Sequence, residues 1–258
     1  MVVLTGKISK GTLMDQIYIP KERPLGFELG SPVAIKALVE EEPIKTVFYN
    51  IKHLESVKVM IIQKIFSELN AADNIIITGS FLEWGFRFND IDLVLINGRK
   101  IDSKKIERHL NKLLDLNFHV VVLDYTTLLK GLETDPLYQA MLSKYVAKKR
   151  VILKFKNKIN HKLLDLHLLK SKPLLENFDF LKGDQKYDMT RNLIAIYLFL
   201  NNKKLSKESI DCAIKNLLKE NPTNIKENII DKAVFLQEYK KLFNKLFKKI
   251  LEGIKNGS

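Results

Sequence analysis

The chain has a single cysteine, Cys212, in 258 residues, so no internal disulfide can form. Its five histidines do not fall with that cysteine, or with one another, at the spacing of zinc ligands. Disulfide frameworks belong to oxidising compartments, so their absence points to a reducing, cytoplasmic one, with Cys212 read as a small core residue. Long apolar runs are missing too. The longest clean one, Leu193 to Leu200, is far shorter than the ~20 residues that cross a bilayer. The opening Met-Val-Val-Leu-Thr-Gly-Lys has no signal-peptide stretch, and no membrane contact is expected. No internal repeat or low-complexity segment occurs, which excludes a solenoid or a tether.

What the chain does hold is apolar content, at 46% ample for a core, and positive charge, a formal +13. The charge is one-sided: residues 131–258 carry 26 Lys+Arg against 14 Asp+Glu, and residues 1–130 carry 17 against 16. Two readings stay open. The excess faces a polyanion, with nucleic acid first, or it decorates solvated helix faces.

The stretch from Ile75 to Ile96 organises the rest. An apolar run ends in Gly79-Ser80, a loop follows, and Asp90-Ile91-Asp92 opens a second apolar run. Successive strand side chains alternate faces, so Asp90 and Asp92 share one face while Ile91, Leu93 and Leu95 share the other. Two like charges on one face need a cation between them, and Mg²⁺ takes one or two carboxylates together with waters and phosphate oxygens. A glycine at the strand end lets the backbone come close to a ligand, and the Ser80 hydroxyl with nearby amides suits phosphate. Arg87 is the only cation in the loop and is expected to contact a phosphate, with two readings open for Trp84 and Phe86: they line a base or acceptor, or they pack.

This arrangement resembles the active-site signature of the DNA polymerase β-like nucleotidyltransferase superfamily: a strand, Gly-Ser, a gap of about ten residues and Asp-x-Asp on the next strand. The resemblance implies an α/β (α+β) nucleotidyltransferase fold in which Asp90 and Asp92 hold Mg²⁺, and Gly79 and Ser80 bind an NTP, ATP first among them. The family also carries a third carboxylate on a later strand. Here the matching position is His119, and the nearest carboxylate, Asp124, stands five residues on, where a regular strand turns it to the other face. Three readings follow: Asp124 is a metal ligand and base in a shifted register, His119 takes the role, or the site is weakened.

Upstream, Ser9-Lys10-Gly11, Ile17 to Lys21 and Phe27 to Ile35 are short β-prone runs punctuated by glycine and proline. In order and type they resemble the swapped-hairpin element of AbrB-type transcription factors, which implies a homodimer, with or without DNA binding. The acidic Glu40-Glu41-Glu42-Pro43 reads as a linker. Val47, Ile51, Leu54, Val57, Ile61, Ile65 and Leu69 recur at three- and four-residue spacing and predict one amphipathic helix. Asn97-Gly98 signals a turn, Asp102-Ser103 a helix start, and Phe118 to Leu123 a strand.

From Thr134 the pattern predicts helix to the end, with Asp135-Pro136 opening it. Val151, Phe155, Ile159, Leu163 and Leu166 form one stripe, beside a basic set of Lys148, Lys149, Arg150, Lys154, Lys156 and Lys158 that suits a phosphate backbone. Leu193-Ile196-Tyr197-Leu200 and the stripe from Phe235 to Ile250 read as helical core or an oligomer contact.

The expected organisation is therefore an AbrB-like β element (1–42), a nucleotidyltransferase domain (43–132) and a basic all-helical domain (133–258). The expected activity is Mg²⁺-dependent transfer of a nucleoside monophosphate from an NTP to an acceptor hydroxyl, with RNA, tRNA included, favoured by the basic helices. Two alternatives share the residues: an antitoxin-type enzyme that transfers AMP to a partner protein, and a non-catalytic dimeric regulator that binds nucleic acid on the same scaffold.

Overall fold

Ile75, Ile76 and Ile77 are each wholly buried, which requires a strand covered on both faces. The computed structural model describes residues 7–13, 15–19, 21–32, 45–69, 72–97, 101–151 and 153–256. The chain divides into two compact units, Met1–Glu42 and Pro43–Ser258.

In the first unit β1 (Lys7–Ser9) pairs antiparallel with β2 (Gln16–Tyr18). The expected run from Phe27 to Ile35 is not a strand over residues 27–32. Gly26 and Gly30 there take φ of +95° and +88°, a left-handed backbone that breaks an extended run. Residues 33–35 and the acidic linker lie outside the described residues, as does Gly98 of the expected turn.

The second unit holds a five-stranded mixed sheet in the order β3-β7-β4-β5-β6, formed by β3 (Val47–Tyr49), β4 (Asn74–Thr78), β5 (Ile91–Ile96), β6 (Phe118–Leu123) and β7 (Tyr145–Ala147). β4 lies antiparallel to β5 and β7, while β5 and β6 are parallel. A parallel pair needs a crossover, and α2 (Ser103–Leu114) supplies it; the Asp102 carboxylate caps it by accepting from the Lys105 amide.

With α1 (Ser56–Glu68), α2 covers the face carrying Ile75, Ile77, Ile91, Leu93 and Leu95. The other face, with Ile76, Val94 and Ile96, packs on Leu128 and Leu132 of α3 (Tyr125–Thr134) and on Tyr138 and Met141 of α4 (Pro136–Met141). A helical layer follows: α5 (His161–Leu169), α6 (Pro173–Glu176), α7 (Gly183–Leu200), α8 (Lys207–Leu218), α9 (Pro222–Glu227) and α10 (Lys232–Asn256). Its own core gathers Leu193, Ile196, Phe199, Phe235, Tyr239 and Ile250, so both apolar stripes bury internally. Among the described residues no helix is long and apolar enough to cross a membrane.

Three expectations are corrected. The helix predicted from Val47 begins only at Ser56, because Val47–Tyr49 pairs with Tyr145–Ala147 as the sheet's edge. The chain after Thr134 is not all helix. β7 contributes a strand to the sheet, so a boundary at 132 cuts that sheet, and residues 153–160 run without regular secondary structure up to the Asn160 cap of α5. Cys212 is exposed on α8 rather than buried.

Candidate functional site

Asp92 is the second residue of β5 and lies in register with Thr78 of β4 and His119 of β6. Because Ile91, Leu93 and Leu95 turn into one core, Asp92 faces the other side; Asp90 stands just before the strand, and its charge acts on Asp92. Gly79 ends the neighbouring strand at φ +83°, and a Cβ there would sit 2.1 Å from Asp92 Oδ2. The missing side chain is thus the seat of the carboxylate.

Replacing that glycine tests the arrangement. Gly79→Ala combines a strained left-handed backbone, worth about 1–3 kcal/mol, with expulsion of the carboxylate. Denaturant melts should show a loss of at least that size, and an unchanged midpoint would contradict the close approach.

Burial holds the Asp92 carboxyl above the ordinary aspartate range, and the charge of Asp90 adds to the push; the hydrogen bond from His119 and the charges of His119 and Arg191 oppose it. His119 Nδ1 lies 3.2 Å from Asp92 Oδ1. Among the described residues no group of three His, Cys, Asp or Glu side chains forms a metal cage. Two carboxylates, one destabilised by burial and by its neighbour, fit a hard oxygen-loving cation that completes its shell with water and phosphate, the preference of Mg²⁺.

The loop between the strands is held from beneath. Ser80–Leu82 makes one 3₁₀ turn with Phe81 and Leu82 buried. Under it the wholly buried Lys58 donates from Nζ to the carbonyls of Glu83 (2.5 Å) and Gly85 (2.6 Å) and lies 3.1 Å from Glu55 Oε2. Glu55 Oε1 in turn accepts from the Gly85 amide at 2.6 Å. The rings of Phe81, Phe86 and Phe88 all stand within 6 Å of that ammonium, at 5.7, 5.3 and 5.9 Å. Phe86 therefore packs on Lys58 rather than lining a base site, and the exposed Trp84 ring stands 5.2 Å from His53.

Above the loop opens a cleft of about 940 Å³. Gly79, Ser80 and Asp92 line it from the sheet side, and Arg191 of α7, Lys207 of α8 and Lys226 of α9 from the helical side. Lys52, Lys144 and Lys204 add to the wall, against three carboxylates among the described residues: Glu83, Asp92 and Glu208. Glu83 is already engaged by Lys144 (3.6 Å) and Lys207 (3.0 Å), so the cleft favours an anionic occupant.

Arg87 is exposed and does not line the cleft; the arginine that does is Arg191. Sequence reasoning missed it because it lies on a helix 99 residues beyond Asp92. One signal was present: the chain has only six arginines among 43 basic residues, and one of them stands two residues before the longest clean apolar run, Leu193 to Leu200.

Asp124 is not part of this site. β5 and β6 run parallel, with Asp92 beside His119 and Ile96 beside Leu123, so Asp124 lies beyond the opposite end of the pair, ~16 Å along the strand. It caps α3, accepting from the Thr127 amide (2.8 Å) and hydroxyl (2.7 Å), and these bonds hold its carboxyl below the usual range. The shifted-register reading fails for that reason, and His119 alone occupies the position beside Asp92.

The basic set is dispersed. Lys148 is half-buried and donates to the Phe66 carbonyl at 3.1 Å, and burial lowers its pKa, helped by Lys149. Lys158 pairs with Glu133 at 2.6 Å. Lys149, Arg150, Lys154 and Lys156 are exposed on irregular chain rather than on a helix face. No family model matches the sequence, and neither a curated protein nor a solved structure matches it.

Proposed function

We propose that the protein is a nucleotidyltransferase that moves a nucleoside monophosphate from an NTP, ATP foremost, to an acceptor hydroxyl on RNA. The observation that carries this reading is Asp92 seated on Gly79, coupled to Asp90 and bonded to His119, at the wall of a cationic cleft. Element order supports it: the Gly-Ser strand is antiparallel to the Asp-x-Asp strand, and a crossover helix leads to a parallel strand with His119 in register.

Asp90 and Asp92 would hold Mg²⁺, which supplies charge neutralisation on the triphosphate. The Ser80 hydroxyl, Arg191 and the lysines of the cleft bind and orient the phosphates. Asp92 accepts from His119 Nδ1–H, which leaves Nε2 to take the proton of the acceptor hydroxyl. The new bond joins that oxygen to the α-phosphorus, the α–β phosphoanhydride bond breaks, and pyrophosphate leaves. In the first unit, Leu13, Leu25 and Leu29 are 96, 94 and 89% exposed, and a homodimer through that element would cover them.

Ligand-induced stabilisation tests the nucleotide site. Mg²⁺ with the preferred NTP at saturating concentration should raise the melting temperature by about 5 °C or more. Arg191→Met should lose most of that rise with little change in the free protein, since its ion pair with Asp188 is solvent-exposed. The histidine in place of a third carboxylate favours the alternative of a non-catalytic regulator, which predicts no rise with any nucleotide.

A further inference from the structure

A second cavity, of about 620 Å³, adjoins the cleft and shares Asn50, Ser143 and Lys204 with it. Its walls combine exposed aromatic rings with cations and, among the described residues, include no carboxylate. Phe48 and Tyr49 come from the edge strand β3 and are 44 and 47% exposed; Phe155, 36% exposed, comes from the irregular stretch after β7. Tyr49 is held by stacking on Tyr145, with centroids 4.8 Å apart and planes 16° from parallel. Arg150, Lys203 and Lys204 supply the charge, and all three are exposed. The stretch that carries Phe155 is itself fixed: Asn157 bonds to Gln139 (2.7 Å) and Asn202 (2.9 Å).

Part-exposed rings set beside cations offer flat apolar faces and positive charge together. A ligand with flat faces and repeated negative charge matches both, and a base-paired duplex does not, because its faces are already stacked. The shared wall makes the cavity a continuation of the cleft that holds Asp92.

We infer that this groove binds single-stranded RNA, stacking bases on Tyr49, Phe48 and Phe155 and holding phosphates with Arg150, Lys203 and Lys204, so that the strand's end enters the cleft. The inference rests on the nucleotidyltransferase reading for the role of acceptor. Binding itself is measured without nucleotide or metal, which keeps the two separable.

The experiment is fluorescence anisotropy of a labelled 12-nucleotide oligouridine with the full chain, alongside DNA of the same length and an RNA duplex. The single-stranded RNA should bind more tightly than either, with an affinity that falls as salt rises. A Tyr49→Ala/Phe155→Ala variant should bind about tenfold or more weakly, the effect of losing stacked bases. Arg150→Glu/Lys203→Glu, which changes only exposed side chains, should lose at least as much with an unchanged melting temperature. Failure of wild type to bind the single strand, equal or tighter binding of duplex or DNA, or full affinity in the folded groove variants would overturn the inference. Binding that is lost in the groove variants while wild type transfers no nucleotide would uphold the groove and remove the enzymatic reading.

Discussion

Asp90→Asn should lower nucleotide transfer by at least about a thousandfold, since losing one carboxylate from the proposed metal-binding pair would remove several kcal/mol of transition-state stabilisation. The fold should survive. Asp90 sits before β5 rather than within it, and the amide keeps its size while removing a like charge that helps hold the Asp92 carboxyl in its raised range. Stability in denaturant should therefore stay the same or rise slightly as transfer disappears. A variant that retains more than a tenth of wild-type turnover would remove Asp90 from the metal site. A variant that loses activity only because it unfolds would show instead that the carboxylate serves structure.

Lys58→Ala carries the largest expected effect on stability, about 3–5 kcal/mol, because breaking one side of a buried charged network leaves its partners uncompensated. The carbonyls of Glu83 and Gly85 and the Glu55 carboxylate all lose the ammonium, and three phenylalanine rings lose the stem they pack on. Lys58→Met restores most of the volume without the charge and should recover only the packing share. Urea unfolding of both variants reads the split. A loss below about 1 kcal/mol in Lys58→Ala would mean that the loop from Gly79 to Asp90 is held by its own buried residues, Phe81 and Leu82. Because the same loop carries Gly79 and Ser80, the alanine variant should also weaken nucleotide binding.

These two positions mark how far the site could be read from sequence. Asp90, Asp92 and Gly79 were legible because period-two alternation and a terminal glycine are local features, and each needs only its neighbours to be placed. Lys58 was not, since a lysine in an amphipathic helix is ordinarily solvated, and only the fold shows the loop that covers it. Arg191 and the cleft wall come from helices packed against the sheet end over long sequence separation, which no local pattern encodes.

The fold divides in the same way. β4, β5, α2 and β6 follow from strong periodicity and the Asp102 cap. β3 and β7 have three residues each, too few to show a period, and the apolar positions from Val47 onward happen to fit helical spacing across β3 and α1. Residues 153–160 form no regular element, although the apolar stripe at 151, 155 and 159 has helical spacing. Asp124 illustrates a further ambiguity. A carboxylate at a strand end serves equally as a ligand or as a helix cap, and the run that follows it, Tyr125–Thr134, makes it a cap.

The most direct test of the proposed chemistry is incorporation of α-³²P label from each of the four NTPs, with Mg²⁺, into total cellular RNA and protein by the purified full chain. The prediction is label in RNA from one preferred nucleotide, with release of pyrophosphate, and none when Asp90→Asn replaces wild type. Label in protein alone would keep the reaction and replace the acceptor. No label in either fraction from a folded protein would contradict the assignment of Asp90, Asp92 and the cleft to nucleotidyl transfer.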